Sequence, residues 1–181
     1  EKVEEAFRAQ ALDSMQGQIL AVGFALDDGP VECLIQGADG IHSEPELLEA
    51  FQETIFNQVK SPLTLDWIGH NIRNFDLPWI WRKALQYRLF PLAKAIPRAR
   101  YDKRVQDTME AWASDFRDRC SLDKVARFLG LQGKPDGIDG SQVYDYFMEG
   151  RLEEIRAYCR ADVALVRDIC SIINGVDVGV F

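Results

Sequence analysis

GHNIRNFDLPWIWRKAL, residues 69–85, decides how the rest of the chain is read. Pro78 has no N–H to donate, so it belongs in the first turn of a helix. This predicts a helix starting near Asn74 to Asp76 and running to about Leu89. Asp76 then stands at the helix entrance, between Phe75 and Leu77 and ahead of Trp79 and Trp81. A carboxylate among apolar neighbours is costly unless it meets a cation or strong donors. Exposed N–H groups at a helix N-terminus offset part of that cost. Taken singly, Asp76 reads as an N-cap.

Working outward, GQILAVGFAL (17–26) and PVECLIQG (30–37) flank the turn signal DDG, and together they predict a hairpin. Ser43 followed by Glu46 resembles a capping box. It opens a helix with Leu47, Leu48, Phe51, Ile55 and Val59 at helical spacing. Pro62 breaks the chain, and LTLDWIGHN (63–71) reads as a third strand. PLAKAIP (91–97) reads as a loop, and RVQDTME (104–110) as a short extended piece. SLDKVARFLGL (121–131) predicts a serine-capped helix, GKPDGIDGS (133–141) a loop and SQVYDYFMEG (141–150) a short helix ended by Gly150. LEEIRAYCRADVALVRDICSII (152–173) predicts a long helix, its apolar stripe running through Leu152, Ile155, Cys159, Val163, Val166, Cys170 and Ile173. Residues 1 to about 12, with acids and bases interleaved, also read as helical. The order points to one α/β domain over 1–181, a mixed sheet covered by helices.

Composition narrows the classes. With 47% apolar and 28% charged residues, the chain reads as an ordinary soluble globular protein. No run approaches the roughly 18 apolar residues of a membrane span, and the charged start EKVEEAFRAQ does not resemble a signal peptide. Cys33, Cys120, Cys159 and Cys170 form no CxxC pair, which favours reduced thiols and a cytoplasmic location. With only His42 and His70, a zinc site is excluded as the working reading. The net charge of −8 argues against a sequence-independent nucleic-acid binder. Locally the balance reverses: from Arg82 to Arg104 there are eight basic residues (Arg82, Lys83, Arg88, Lys94, Arg98, Arg100, Lys103, Arg104) and one acid, Asp102. That strip is either a solvated surface or a phosphate-attracting one.

Two further residues matter together with Asp76. Tyr158 and Asp162 are four apart on the last helix and share a face beside its apolar stripe. Singly, Asp162 reads as a surface acid and Tyr158 as a core aromatic with a wet tip. Jointly, NIRNFD has the form Asn-x-x-x-Phe-Asp and YCRAD the form Tyr-x-x-x-Asp. These resemble the second and third motifs of the DEDD superfamily of 3′–5′ exonucleases, tyrosine subgroup. The nearer resemblance is to predicted exonucleases related to the exonuclease domain of family-B DNA polymerases. SLDKVARFLGL, GIDGSQVYDYF and the GQILAVGFAL hairpin extend the likeness over nearly the whole chain.

The resemblance implies a ribonuclease-H-like fold and phosphodiester hydrolysis with two divalent ions, Mg²⁺ or Mn²⁺, roughly 4 Å apart. Hard ions take oxygen ligands, which suits carboxylates. It implies that Asp162 and Asp76 are metal ligands and that Tyr158 orients the attacking water. Asn71 would contact the strand, with His70 at the substrate's flank and Phe75 packing beneath the site. It also implies a single-stranded DNA 3′ end as substrate, and a polymerase or other replication or repair protein as a possible partner. One departure stands out. The family's first motif, Asp-x-Glu on a central strand, does not precede the hairpin, so that strand is expected to lie outside this sequence. Asp107 in VQDTM reads as structural, and Asp66 as a solvent-facing acid. The rival expectations are a non-catalytic nucleic-acid-binding or polymerase-docking module, and an RNA-trimming enzyme.

Overall fold

The computed structural model describes residues 13–115, 118–133, 138 and 140–179. The helix expected over 1–12 and most of the 133–141 loop lie outside the described residues.

The hairpin forms where DDG requires it. Strand β1, Ala21–Phe24, pairs antiparallel with β2, Glu32–Ile35, and Gly23 stands opposite Cys33. The turn places Asp27 at φ +47°, a left-handed conformation that aspartate tolerates better than most residues. Helix α1, Glu44–Gln58, follows. The Ser43 side chain accepts from the Glu46 N–H, and Glu46 accepts in return from the His42 N–H at 2.7 Å. The apolar side of α1 buries Leu47, Leu48, Phe51 and Ile55. Phe51 meets Phe24 of β1 edge-on, with ring centroids 5.1 Å apart.

The third strand is shorter than expected. Pro62 starts a 3₁₀ turn over Pro62–Thr64, leaving β3 as Trp67–Gly69, and Asp66 is exposed. β3 pairs parallel with β4, Val105–Asp107, and Gly69 faces Asp107. Helix α2, Asp76–Gln86, lies between them in sequence. The PLAKAIP loop is corrected: Phe90–Ala95 is a helix, α3. Pro91 occupies its first turn, where no N–H is needed, and Leu92, Ala93 and Ala95 are buried. Asp107 caps α4, Thr108–Trp112, and Ser121 caps α5, Leu122–Phe128. Helix α6, Val143–Met148, ends before Gly150 at φ +73°, and α7 spans Leu152–Ile173.

The class is mixed α/β, with small sheets flanked by helices. In place of one mixed sheet, the described residues form two two-stranded sheets, one antiparallel and one parallel. α7 is the element common to both halves, touching β1, β2 and β3 as well as α4, α5 and α6. It packs on β1 through its middle and joins the smaller of two apolar clusters further along. Gly23 of β1 has so little room against α7 that a Cβ there would lie 3.1 Å from the Cys159 carbonyl and from Val163 Cγ2. Further along, Leu165 and Ile169 join Leu122, Val125, Ala126 and Leu131. For this reason the deepest residues of α7 are Ile155, Leu165, Ile169 and Cys170, and the expected stripe is only partly buried. The larger cluster joins Val22, Leu47, Leu48, Phe51 and Ile55 to Leu77, Ile80 and Leu92. Among the described residues no helix is long and apolar enough to cross a membrane.

Candidate active site

The turn ahead of α2 is built from backbone constraints. Gly69 lacks a side chain because a Cβ would fall 2.6 Å from that of Ile72. Asn71 adopts φ +62°, where asparagine is favoured over most side chains. Its carbonyl accepts from the N–H groups of both Asn74 and Phe75. Asp107 then locks this turn to β4. Its Oδ1 accepts from Asn71 N–H at 2.9 Å and Met109 N–H at 3.0 Å, and its Oδ2 accepts from Arg73 N–H at 3.1 Å. A longer bond from the Glu110 N–H completes the set. Asp107 is buried, so these donors hold its charge in place of water.

With the turn held, α2 begins at Asp76. Phe75, not Asp76, is the N-cap residue, and it makes no side-chain capping bond. The aspartate instead accepts from its own N–H. Its carboxyl pKa is pushed up to about 6. Desolvation by surrounding protein is the largest cause, its own N–H opposes the shift, and the charges of Asp107 and Asp162 add to it. Yet Asp76 is exposed at its surface. Whole-residue exposure includes the backbone and Cβ, so it does not conflict with a carboxyl group that surrounding protein partly desolvates.

Asp162 reaches this neighbourhood from the middle of α7. Tyr158 lies one turn before it on the same face, and both are half-buried. The close packing of Gly23 against Cys159 and Val163 sets how near α7 lies to β1, and thus the height of both side chains. Gly140 approaches from the other side, where a Cβ would stand 3.9 Å from the Tyr158 hydroxyl.

The remaining sequence-derived residues are placed as follows. Asn71 is half-buried in the turn, its Oδ1 accepting from Asn74 Nδ2 at 3.3 Å. His70 donates through Nε2 to the Cys120 carbonyl at 2.8 Å, and its Nδ1 lies 3.0 Å from the Thr108 hydroxyl. It thereby ties β3 to the segments around α4 and α5. Phe75 is 40% exposed, its ring tilted against Trp79 with centroids 5.8 Å apart. The cause is its position outside α2, whose buried side is already filled by Leu77, Trp79 and Ile80.

The basic strip does not act as one surface. Lys83 is buried and pairs with Glu44 at 3.4 Å, and Arg104 pairs with Asp102 at 2.9 Å. Arg98 and Arg100 instead reach an open groove of about 500 Å³ beside the first turn of α2. Arg73 and Arg119, outside the strip in sequence, also line it. Sequence reading missed these two because only the fold brings them together.

The donor set at Asp76 and Asp162 is of hard carboxylate oxygen, which fits Mg²⁺ or Mn²⁺. Mutual repulsion at Asp76 is the electrostatic condition that a cation relieves. Two acids do not make a complete two-ion site, and the described residues contain no group of three His, Cys, Asp or Glu arranged to hold a metal. Asp107, the third acid nearby, has its oxygens committed to backbone donors.

No curated protein and no solved structure matches the chain. A family described as a predicted 3′–5′ exonuclease related to the exonuclease domain of PolB matches residues 15–166, a span that includes the hairpin, Asp76, Tyr158 and Asp162. The chain belongs to this family of predicted 3′–5′ exonucleases.

Proposed function

We propose that the protein is a metal-dependent 3′–5′ exonuclease that removes nucleotides from the 3′ end of single-stranded DNA. The support for this reading is that the charge of Asp162 helps raise the carboxyl pKa of Asp76, an acid on a separate helix, in a chain of a nuclease-related family. Asp76 and Asp162 would hold the divalent ions. When bound, such ions supply a hydroxide nucleophile at neutral pH and neutralise charge on the phosphate.

The chain's own residues do the positioning. Tyr158, one turn from Asp162, orients the attacking water through its hydroxyl. Asn71, held by Asp107, contacts the terminal nucleotides. Phe75 offers an exposed ring at the helix entrance. His70 braces the turn from the flank, through Thr108 and Cys120. A polymerase or another replication or repair protein fits as partner for an enzyme acting on 3′ ends.

A second reading is a non-catalytic nucleic-acid-binding or polymerase-docking module that keeps the fold and the strand contacts without hydrolysis. One assay separates the two. A 5′-labelled single-stranded oligodeoxynucleotide is incubated with the protein and Mg²⁺ or Mn²⁺. The enzyme reading expects stepwise shortening that EDTA stops, and an unchanged oligonucleotide supports the module. A ribo-oligonucleotide run in parallel reports the sugar preference.

A further inference from the structure

The groove beside α2 has a feature that net charge conceals. Among the described residues, Arg98 and Arg100 make no ion pair. Aromatic rings hold them instead. The Arg98 guanidinium lies 4.1 Å from the centroid of the Trp81 ring, and that of Arg100 lies 5.5 Å from that of Tyr101. A guanidinium held over a ring face keeps its N–H donors, which lie in its own plane, available to another partner. Tyr101 is 82% exposed, leaving most of its surface to solvent.

The other two arginines of the groove are already engaged. Arg73 bonds Glu110 at 3.1 Å and the Val105 carbonyl at 2.8 Å, and Arg119 is 3.8 Å from Glu110. Asn74, Leu77 and Pro78, the neighbours of Asp76 in sequence, form the near wall. The groove is thus lined both by residues that flank Asp76 in sequence and by two cations with open donors beside an exposed ring.

We propose that Arg98, Arg100 and Tyr101 form a strand-holding site for single-stranded nucleic acid, gripping the phosphates and one base of the segment leading to the 3′ end. This deepens the exonuclease reading and rests on it for the identity of the strand. Arginine forks match phosphate oxygens, and an exposed aromatic stacks on any base, so the site is sequence-tolerant. Duplex DNA keeps its bases stacked inward and offers none to Tyr101, so the site selects single strands. It also works without metal, because none of its contacts passes through Asp76 or Asp162.

The test is anisotropy of a 5′-fluorescein single-stranded oligodeoxynucleotide in EDTA, where no hydrolysis occurs. Wild-type protein is compared with Arg98→Ala/Arg100→Ala, Tyr101→Ala and Lys60→Ala, the last an exposed cation outside the groove. The double variant is expected to weaken binding about tenfold or more and to flatten the log K against log salt slope by about 1.4, two phosphates at ≈0.7 each. Tyr101→Ala is expected to weaken it roughly fivefold, and Lys60→Ala to leave it near wild type. The three groove side chains are exposed, and a melting curve for each variant confirms an intact fold. Equal affinity of wild type and double variant overturns the proposal, as does an equal loss in Lys60→Ala. Displacement by polyglutamate as effective as by DNA also overturns it, in favour of an acidic protein partner.

The two readings fail separately. A wild type that binds through these residues but never shortens a strand retains the groove and loses the activity. A wild type that shortens strands, with binding and KM unmoved in the double variant, does the reverse.

Discussion

Asp162, in the middle of α7, lies close enough to Asp76, the first residue of α2, for its charge to help raise the Asp76 carboxyl pKa. Eighty-six positions separate them in the chain (162 − 76). The fold brings them together through two devices: Asp107 fixes the turn leading into α2, and Gly23 lets α7 lie directly on β1.

Replacing Asp162 with alanine is expected to lower exonuclease activity about 100-fold or more, because an ion ligand contributes several kcal/mol of transition-state stabilisation. The residue is only half-buried, so the melting temperature should stay close to wild type. Initial rates of 3′ shortening alongside a melting curve check both halves. Normal digestion by Asp162→Ala removes α7 from the site.

Tyr158→Phe deletes one hydroxyl and keeps the ring. Turnover is expected to fall about 100-fold, within the range of groups that position or move protons, while Mn²⁺ affinity is unchanged. Single-turnover kinetics and a Mn²⁺ titration read the two separately. Unchanged turnover takes Tyr158 out of the mechanism.

The raised pKa of Asp76 predicts a pH dependence of stability in metal-free protein. An unfolded aspartate titrates near 3.9, and the folded one near 6. Between those values the folded state binds more protons than the unfolded state, so stability falls as pH rises. The penalty is absent below about 4 and complete above about 6. Asp76→Asn abolishes it. In EDTA, the melting temperature of the variant relative to wild type is expected to climb between pH 4 and 6.5 and then level off. Parallel curves, with a constant offset at every pH, contradict the electrostatic account.

Asp107→Ala leaves the N–H groups of Asn71, Arg73 and Met109 without their acceptor and removes the cap of α4. The expected cost is about 3 kcal/mol, read from the urea midpoint. A loss below about 0.5 kcal/mol would show that the turn holds itself. Gly23→Ala tests the other device. Its methyl group would meet Cys159 and Val163 at 3.1–3.2 Å, and overpacking of this kind costs about 1–3 kcal/mol. Its activity should fall more than its stability explains, because α7 carries Tyr158 and Asp162.

Much of the fold was legible because local signals and periodicity agreed. The long C-terminal helix was read as 152–173 and is observed as Leu152–Ile173. Ser43 and Ser121 marked true helix starts, each accepting a backbone N–H. α3 was not legible, since a six-residue helix opening on proline completes too few turns to show a period. The direction of a side chain was harder still. Lys83 looked like part of a basic surface, but it lies on the same side of α2 as Trp79 and Ile80, and its charge is answered by Glu44 across the core. Phe75, the residue just outside the helix, is 40% exposed while its ring rests against Trp79, a placement that spacing alone does not give. For the site, residue types and spacing indicated Asp76, Tyr158 and Asp162. The arginine groove was only half visible, because Arg73 and Arg119 join it through folding alone.

The central claim is that Asp76 and Asp162 together hold a divalent cation. Mn²⁺ titration of the full chain, followed by electron paramagnetic resonance, measures this without any substrate. Wild-type protein is expected to bind Mn²⁺, Asp76→Asn and Asp162→Asn each to weaken that binding about tenfold or more, and the double variant to be no weaker than the sum of the two losses requires. Equal Mn²⁺ affinity in wild type and both single variants would contradict the account.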